Sequence, residues 1–166
     1  MEASMTGPIQ KRDFAAELGT LGYPDFSYLK ATMTPKPDEV LLDALGEPDL
    51  DARVLEGLPW LALTYMDMDW DWLIQNAKCI SGKTGWVSWS PWRVNWRKGK
   101  NDRHGSTKLR QCLDILERAR LSQEDTFCHD SMTQTERAWV REHRSPTAAR
   151  WNLLTDMKAE QLSYSR

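Results

Sequence analysis

The chain has 166 residues, 22 Lys and Arg against 24 Asp and Glu, and a formal net charge of -2. That length suits one domain and excludes a large multidomain enzyme. With 40% hydrophobic and 28% charged residues it can bury a core, and no apolar run reaches the about 18 residues of a spanning helix, so a globular chain with no membrane partner is expected.

Residues 1–12 hold Glu2, Lys11 and Arg12 and no apolar h-region, so no secretory signal is expected. Cys79, Cys112 and Cys128 form no C-x-x-C pair, which offers neither a disulfide framework nor a zinc knuckle and points to a reducing cytoplasm. The compositional outlier is nine tryptophans. Indoles serve core packing, interfaces or base stacking.

Gly7, Pro8, Gly19, Gly22 and Pro24 interrupt residues 1–34, which read as an N-terminal arm with at most one helix near Asp13 to Leu18. Pro35 and Pro37 open a helical domain over 35–166. Val40, Leu41, Leu42 and Leu45 suit a short helix ended by Gly46, and Pro48 can begin another carrying Val54, Leu55 and Leu58. Pro59 kinks or restarts it, and Asp69 can cap a helix whose first turn holds Trp70, Trp72 and Leu73.

Residues 81–105 differ, because five glycines and prolines break them up around Trp86, Trp89, Trp92 and Trp96. Ser90 before Pro91 is a helix-start signal. A helix from there to Lys100 sets Trp92 and Trp96 on one arc with Arg93, Arg97 and Lys100 adjoining. Leu109, Cys112, Leu113, Leu116 and Ala119 recur at helical spacing. Ser122 with Asp125 and Thr133 with Glu136 form capping boxes, the second opening a helix with Trp139, Val140 and His143 on one side. Ser145-Pro146 starts another, with Ala149, Trp151 and Leu153 available for packing, and Asp156 can cap a final turn through Leu162. The expected fold is mainly α, a domain of about six or seven short helices with an irregular Trp- and Gly-rich middle. Trp60, Trp70, Trp72, Trp139 and Trp151 are assigned to its core.

Charge is segregated. Between Lys36 and Asp71 ten acids face two bases, and between Lys83 and Arg110 eight bases face Asp102 alone. The two halves can pair with each other, or the basic tract can stay free for a polyanion.

Four constellations invite a chemical reading. Residues 77–84, AKCISGKT, follow the relaxed phosphate-loop pattern, but Ala77 replaces the first glycine and a helix precedes it where a strand is required. Asp67, Asp69 and Asp71 imitate the start of a calcium loop, yet Trp72 and Lys78 stand where its Gly and bidentate Glu belong. Cys128-His129 with His104 and His143 fits no zinc spacing, and nothing orients a Cys–His nucleophile. No catalytic residue, metal or cofactor is therefore assigned. The fourth is the basic Trp-rich segment, whose stacking faces and cations suit single-strand nucleic acid. Tryptophans with arginine stems over their edges equally suit a core or a protein interface. Trp89, Trp92, Arg93, Trp96, Arg97, Lys98, Lys100 and Arg103 are the candidate binding residues, for a protein partner first and nucleic acid as the alternative.

The stretch DLDARVLEGLPWL at 49–61, then MDWDWL at 68–73 with Ala77-Lys78, resembles a segment of bacterial proteins that often carry an N-terminal helix-turn-helix and are described as transcriptional regulators or antitoxin-like proteins. Residues 125–128 through Trp139, and 144–154, are similar to the tail of the same group. The resemblance implies regulation of transcription, DNA association and a cytoplasmic location, and it assigns no active residues. Residues 1–34 are too short and glycine-broken for the DNA-reading unit, which leaves a regulatory or partner-binding module, and residues 81–105 lack the longer regular helix of the group.

Overall fold

A computed structural model describes residues 11–65, 67–79 and 124–158 of the chain. Among these the protein is mainly helical: α1 (Phe14–Thr20), a 3-10 turn (Pro24–Phe26), α2 (Pro37–Gly46), α3 (Ala52–Thr64), α4 (Trp70–Cys79), α5 (Gln134–His143) and α6 (Pro146–Arg150). No described helix is long and apolar enough to cross a membrane.

Most helix ends follow from local chemistry. Asp13 caps α1, its carboxylate accepting the Ala16 amide at 3.0 Å. The far end is a Schellman motif: the Tyr23 amide donates to Leu18 O at 2.9 Å and the Gly22 amide to Gly19 O at 3.2 Å. Gly22 supplies the left-handed residue this closure needs, at φ 101°. α6 is built the same way. Ser145 Oγ caps it by accepting the Ala148 amide at 3.1 Å, and its other end closes through Leu153 N–H to Ala148 O at 2.9 Å and Asn152 N–H to Ala149 O at 3.2 Å. Asn152 takes the left-handed place at φ 56°, the commonest substitute for glycine there.

α2 is the central helix. Pro37 opens it, Asp38 and Glu39 sit at its positive end, and Val40, Leu41, Leu42, Ala44 and Leu45 are all buried, so apolar residues occupy more than one stripe. It packs against α1, α3 and α4. α3 begins at Ala52 rather than at Pro48, because Asp49 and Leu50 pair with the C-terminal segment and Asp51 is the cap, accepting the Arg53 amide at 2.9 Å. Pro59 lies buried within α3 and does not end it. Asp69 caps α4 as its position suggested, accepting the Trp72 amide at 2.9 Å.

Residues 11–34, part of the stretch 1–34 expected to form an N-terminal arm, place Phe14, Leu18, Tyr23 and Phe26 in the same buried cluster as α2, α3 and α4. Arg12 adds ion pairs to Glu17, at 2.8 Å, and to Asp43 of α2. Trp60 is half-buried with its ring 5.2 Å from that of Tyr23 and 6.4 Å from that of Tyr65, and the Tyr65 hydroxyl donates to Leu21 O at 2.7 Å.

The C-terminal segment joins this core through the turn around Phe127 and through α6 and its end. Cys128 O accepts the Leu50 amide, and the Asp130 amide donates to Pro48 O, both at 2.9 Å. The Asp125 amide donates to Asn152 O at 3.0 Å, and Asp125 O accepts the Leu154 amide at 2.8 Å. These form two isolated bridges, Asp49 with His129 and Asp125 with Leu153, which tie the turn to the α2–α3 connection and to the end of α6. Phe127 and Cys128 are pressed into the main core with Trp151 and Leu153. Met132, Val140 and Leu154 form a second, smaller cluster under α5.

Candidate protein-docking face

α5 sets out side chains by a simple division. Its capping box is complete: the Glu136 amide donates to Thr133 Oγ1 at 3.3 Å and the Thr133 amide to Glu136 Oε2 at 2.7 Å. Hydrogen bonds from Thr133 hold the Glu136 carboxyl below the usual range. Val140 is the buried residue of this helix. The three arginines are engaged with the protein itself. Arg137 donates to Met132 O and to Asp130 O, both at 3.0 Å. Arg141 forms a bidentate pair with Glu124 at 2.9 and 2.6 Å. Arg144, just past the helix end, donates to Leu153 O at 3.0 Å. The Arg141 hydrogen bonds depress the Glu124 carboxyl below the ordinary range and raise the guanidinium in turn.

Away from the buried side stand Trp139 and His143, one helical turn apart. Their rings stack with centroids 4.3 Å apart and planes at 14°. The imidazole is fixed from its other side, since His143 Nδ1 lies 2.7 Å from Trp139 O; a carbonyl only accepts, so Nδ1 carries the proton. Trp139 is nonetheless 51% exposed. The neighbouring carboxylate, Glu142, has no hydrogen-bond or ion-pair partner among the described residues. An indole so placed contributes little to packing and leaves a flat aromatic surface in water.

This corrects the core assignment of two tryptophans. Trp70 and Trp151 are buried, at 5% and 4% exposure, but Trp72 and Trp139 are exposed. Both lie on helices whose core-facing positions are taken by other residues, Trp70 and Leu73 on α4 and Val140 on α5. Val140 does not share its side with Trp139 and His143 either. The signal available in the sequence was the i, i+4 aromatic pair lying off the Val140 stripe.

The binding residues expected from the sequence, Trp89, Trp92, Arg93, Trp96, Arg97, Lys98, Lys100 and Arg103, lie outside the described residues, as do the helix expected over 109–119, Ser122 and the turn through Leu162. Of the phosphate-loop pattern, Ala77, Lys78 and Cys79 are the last residues of α4, so the chain does arrive there as helix. In the calcium-like stretch Asp69 is a helix cap and Met68 is buried. Cys128 is a buried thiol, 3.6 Å from Ala44 O and 3.7 Å from Leu45 O at the end of α2, whereas His143 is stacked on α5. No group of three or more His, Cys, Asp or Glu among the described residues is arranged to hold a metal ion. Tyr23 has its hydroxyl pushed well above the usual phenol range by burial and by Asp25.

Phe127 and Cys128 are successive left-handed residues, at φ 54° and 60°, which their residue types do not signal. Neither is glycine or asparagine, and such backbone costs about 1–2 kcal/mol per residue. Burial of the Phe127 ring, the Asp125 carboxylate accepting the Phe127 amide at 2.9 Å, and the Thr126 to Asp130 side-chain bond hold the turn closed.

No family model, curated protein or solved structure matches this chain.

Proposed function

We propose that this chain is a non-enzymatic regulatory or adaptor protein that works in the cytoplasm by binding a protein partner, within a DNA-associated or defence-type assembly. The observation that carries the reading is the half-exposed Trp139, stacked on His143 and held on a helix whose arginines are all engaged internally. Large aromatic residues concentrate the energy of protein interfaces, and Trp72 on α4 adds a second exposed indole. The resemblance of residues 49–61, 68–73 and 77–78, with 125–139 and 144–154, to bacterial regulators and antitoxin-like proteins points to the same class. The test is affinity capture from a bacterial extract with the wild-type chain and with a Trp72→Ala, Trp139→Ala double variant. The reading expects proteins captured by the wild type and lost with the variant; identical sets overturn it.

The excess of bases between Lys83 and Arg110, interleaved with tryptophans, favours a second reading, direct binding of nucleic acid. Affinity for single- and double-stranded DNA at two salt concentrations separates the two, because phosphate contacts impose a steep salt dependence.

A further inference from the structure

We infer that the Trp139 face of α5 receives a guanidinium, so that the partner presents an arginine there; this rests on the protein-binding reading above. Every arginine on or beside α5 is already engaged, with Glu124 or with backbone carbonyls. What remains on the outward side is the Trp139 indole and, three residues on, the exposed Glu142, which has no hydrogen-bond or ion-pair partner among the described residues; Glu136, three residues before, is tied into the capping box by Thr133. Residues three apart on a helix are surface neighbours, so Glu142 is the carboxylate next to the ring.

A planar cation satisfies both parts of this surface. It lies over a π face by attraction to the ring quadrupole, and its N–H groups reach a neighbouring carboxylate. Arginine suits the site better than lysine, because the guanidinium is flat and weakly hydrated and stacks where an ammonium cannot. A phosphate is disfavoured by the same carboxylate, so nucleic acid is not the occupant. The His143 ring, held at its Nδ1 by Trp139 O, backs the indole from one side and fixes its orientation before anything binds.

The test uses the full chain and a fluorescein-labelled peptide of alternating arginine and serine, followed by anisotropy, with a matched lysine peptide and a matched glutamate peptide. The arginine peptide is expected to bind most tightly. Trp139→Ala is expected to weaken it about three- to thirtyfold. Glu142→Gln is expected to weaken it severalfold, while Asp67→Asn, the same charge change at an exposed site on another element, leaves it unchanged. Trp139→Phe, which keeps a smaller π face, is expected to fall between wild type and alanine, and circular dichroism confirms that each variant is folded. Equal binding of the arginine and lysine peptides, no loss in Trp139→Ala, or the same loss in Asp67→Asn as in Glu142→Gln overturns the inference. If the peptide fails while capture of a partner from extract still depends on Trp139, the inference is wrong and the protein-binding reading stands. If both fail, neither survives.

Discussion

Gly19 gives a sign test of the packing around α1. It lies in the last turn of that helix and is buried. From propensity alone, alanine in place of a helical glycine gains about 1 kcal/mol. The structure opposes this, because a β-carbon there runs into the carbonyl oxygens of Phe26 and, at 2.8 Å, of Leu29. These are backbone atoms of the chain returning over α1, pinned by the Leu29 amide to Phe26 O at 2.8 Å and by the Ala31 amide to Thr20 Oγ1 at 2.6 Å. Neither can swing away as a side chain can, so the cost lies at or above the upper end of the about 1–3 kcal/mol seen for overpacking. Gly19→Ala is expected to lose at least about 2 kcal/mol net, lowering Tm by at least about 4–8 °C for a chain of this size. Gly57→Ala is the control. Its β-carbon meets Leu18 Cδ1 at 2.9 Å and the Tyr23 ring at 3.1 Å, side chains rather than backbone, so its loss in Tm should be smaller. Thermal unfolding by circular dichroism reads both variants, and a Gly19→Ala chain melting above wild type refutes the packing described for residues 19–31.

Phe127→Ala should cost about 3–5 kcal/mol in urea unfolding, as expected for truncating a buried aromatic ring, because the ring holds a turn of otherwise unfavourable backbone; a loss below about 1 kcal/mol contradicts this. Asn152→Gly should raise stability by a few tenths of a kcal/mol and Asn152→Ala lower it, since the position closes a Schellman motif at positive φ; the opposite order in thermal melts is the contrary result. The Glu124 pair with Arg141 gives an acid dependence. Its folded pKa is depressed, so its contribution is present above the ordinary carboxylate range and is lost as pH falls through the lower folded value. Below about pH 4.5 the wild type should therefore lose more stability than Glu124→Gln, by at most about 1 kcal/mol for so solvent-screened a pair. Parallel pH curves for the two proteins exclude that role.

The helices were legible where a side chain terminates them locally. Asp69, Thr133 with Glu136, and Ser145-Pro146 each announce a helix start that the structure contains, and Pro37 and Gly46 bracket α2. The start of α3 was misread because Pro48 carries a helix-start signal that pairing of residues 48–50 with 128–131 overrides. The left-handed pair at Phe127 and Cys128 could not be read from the sequence at all, since tertiary burial, not residue type, selects that backbone. Tryptophan was assigned to the core by type. At Trp139 position governs instead, because α5 has one buried residue and the indole stands off that side.

The proposed docking of another protein on the outward face of α5 has a direct test. A benzophenone photocrosslinker introduced in cells at Ala138, exposed beside Trp139, addresses it directly, with Ser27 on the 3-10 turn as the reference position. The account predicts a discrete adduct from position 138, none from position 27, and loss of the adduct when the arginine–serine peptide competes or Trp139 is alanine. No adduct at 138, or the same adducts from both positions, contradicts it.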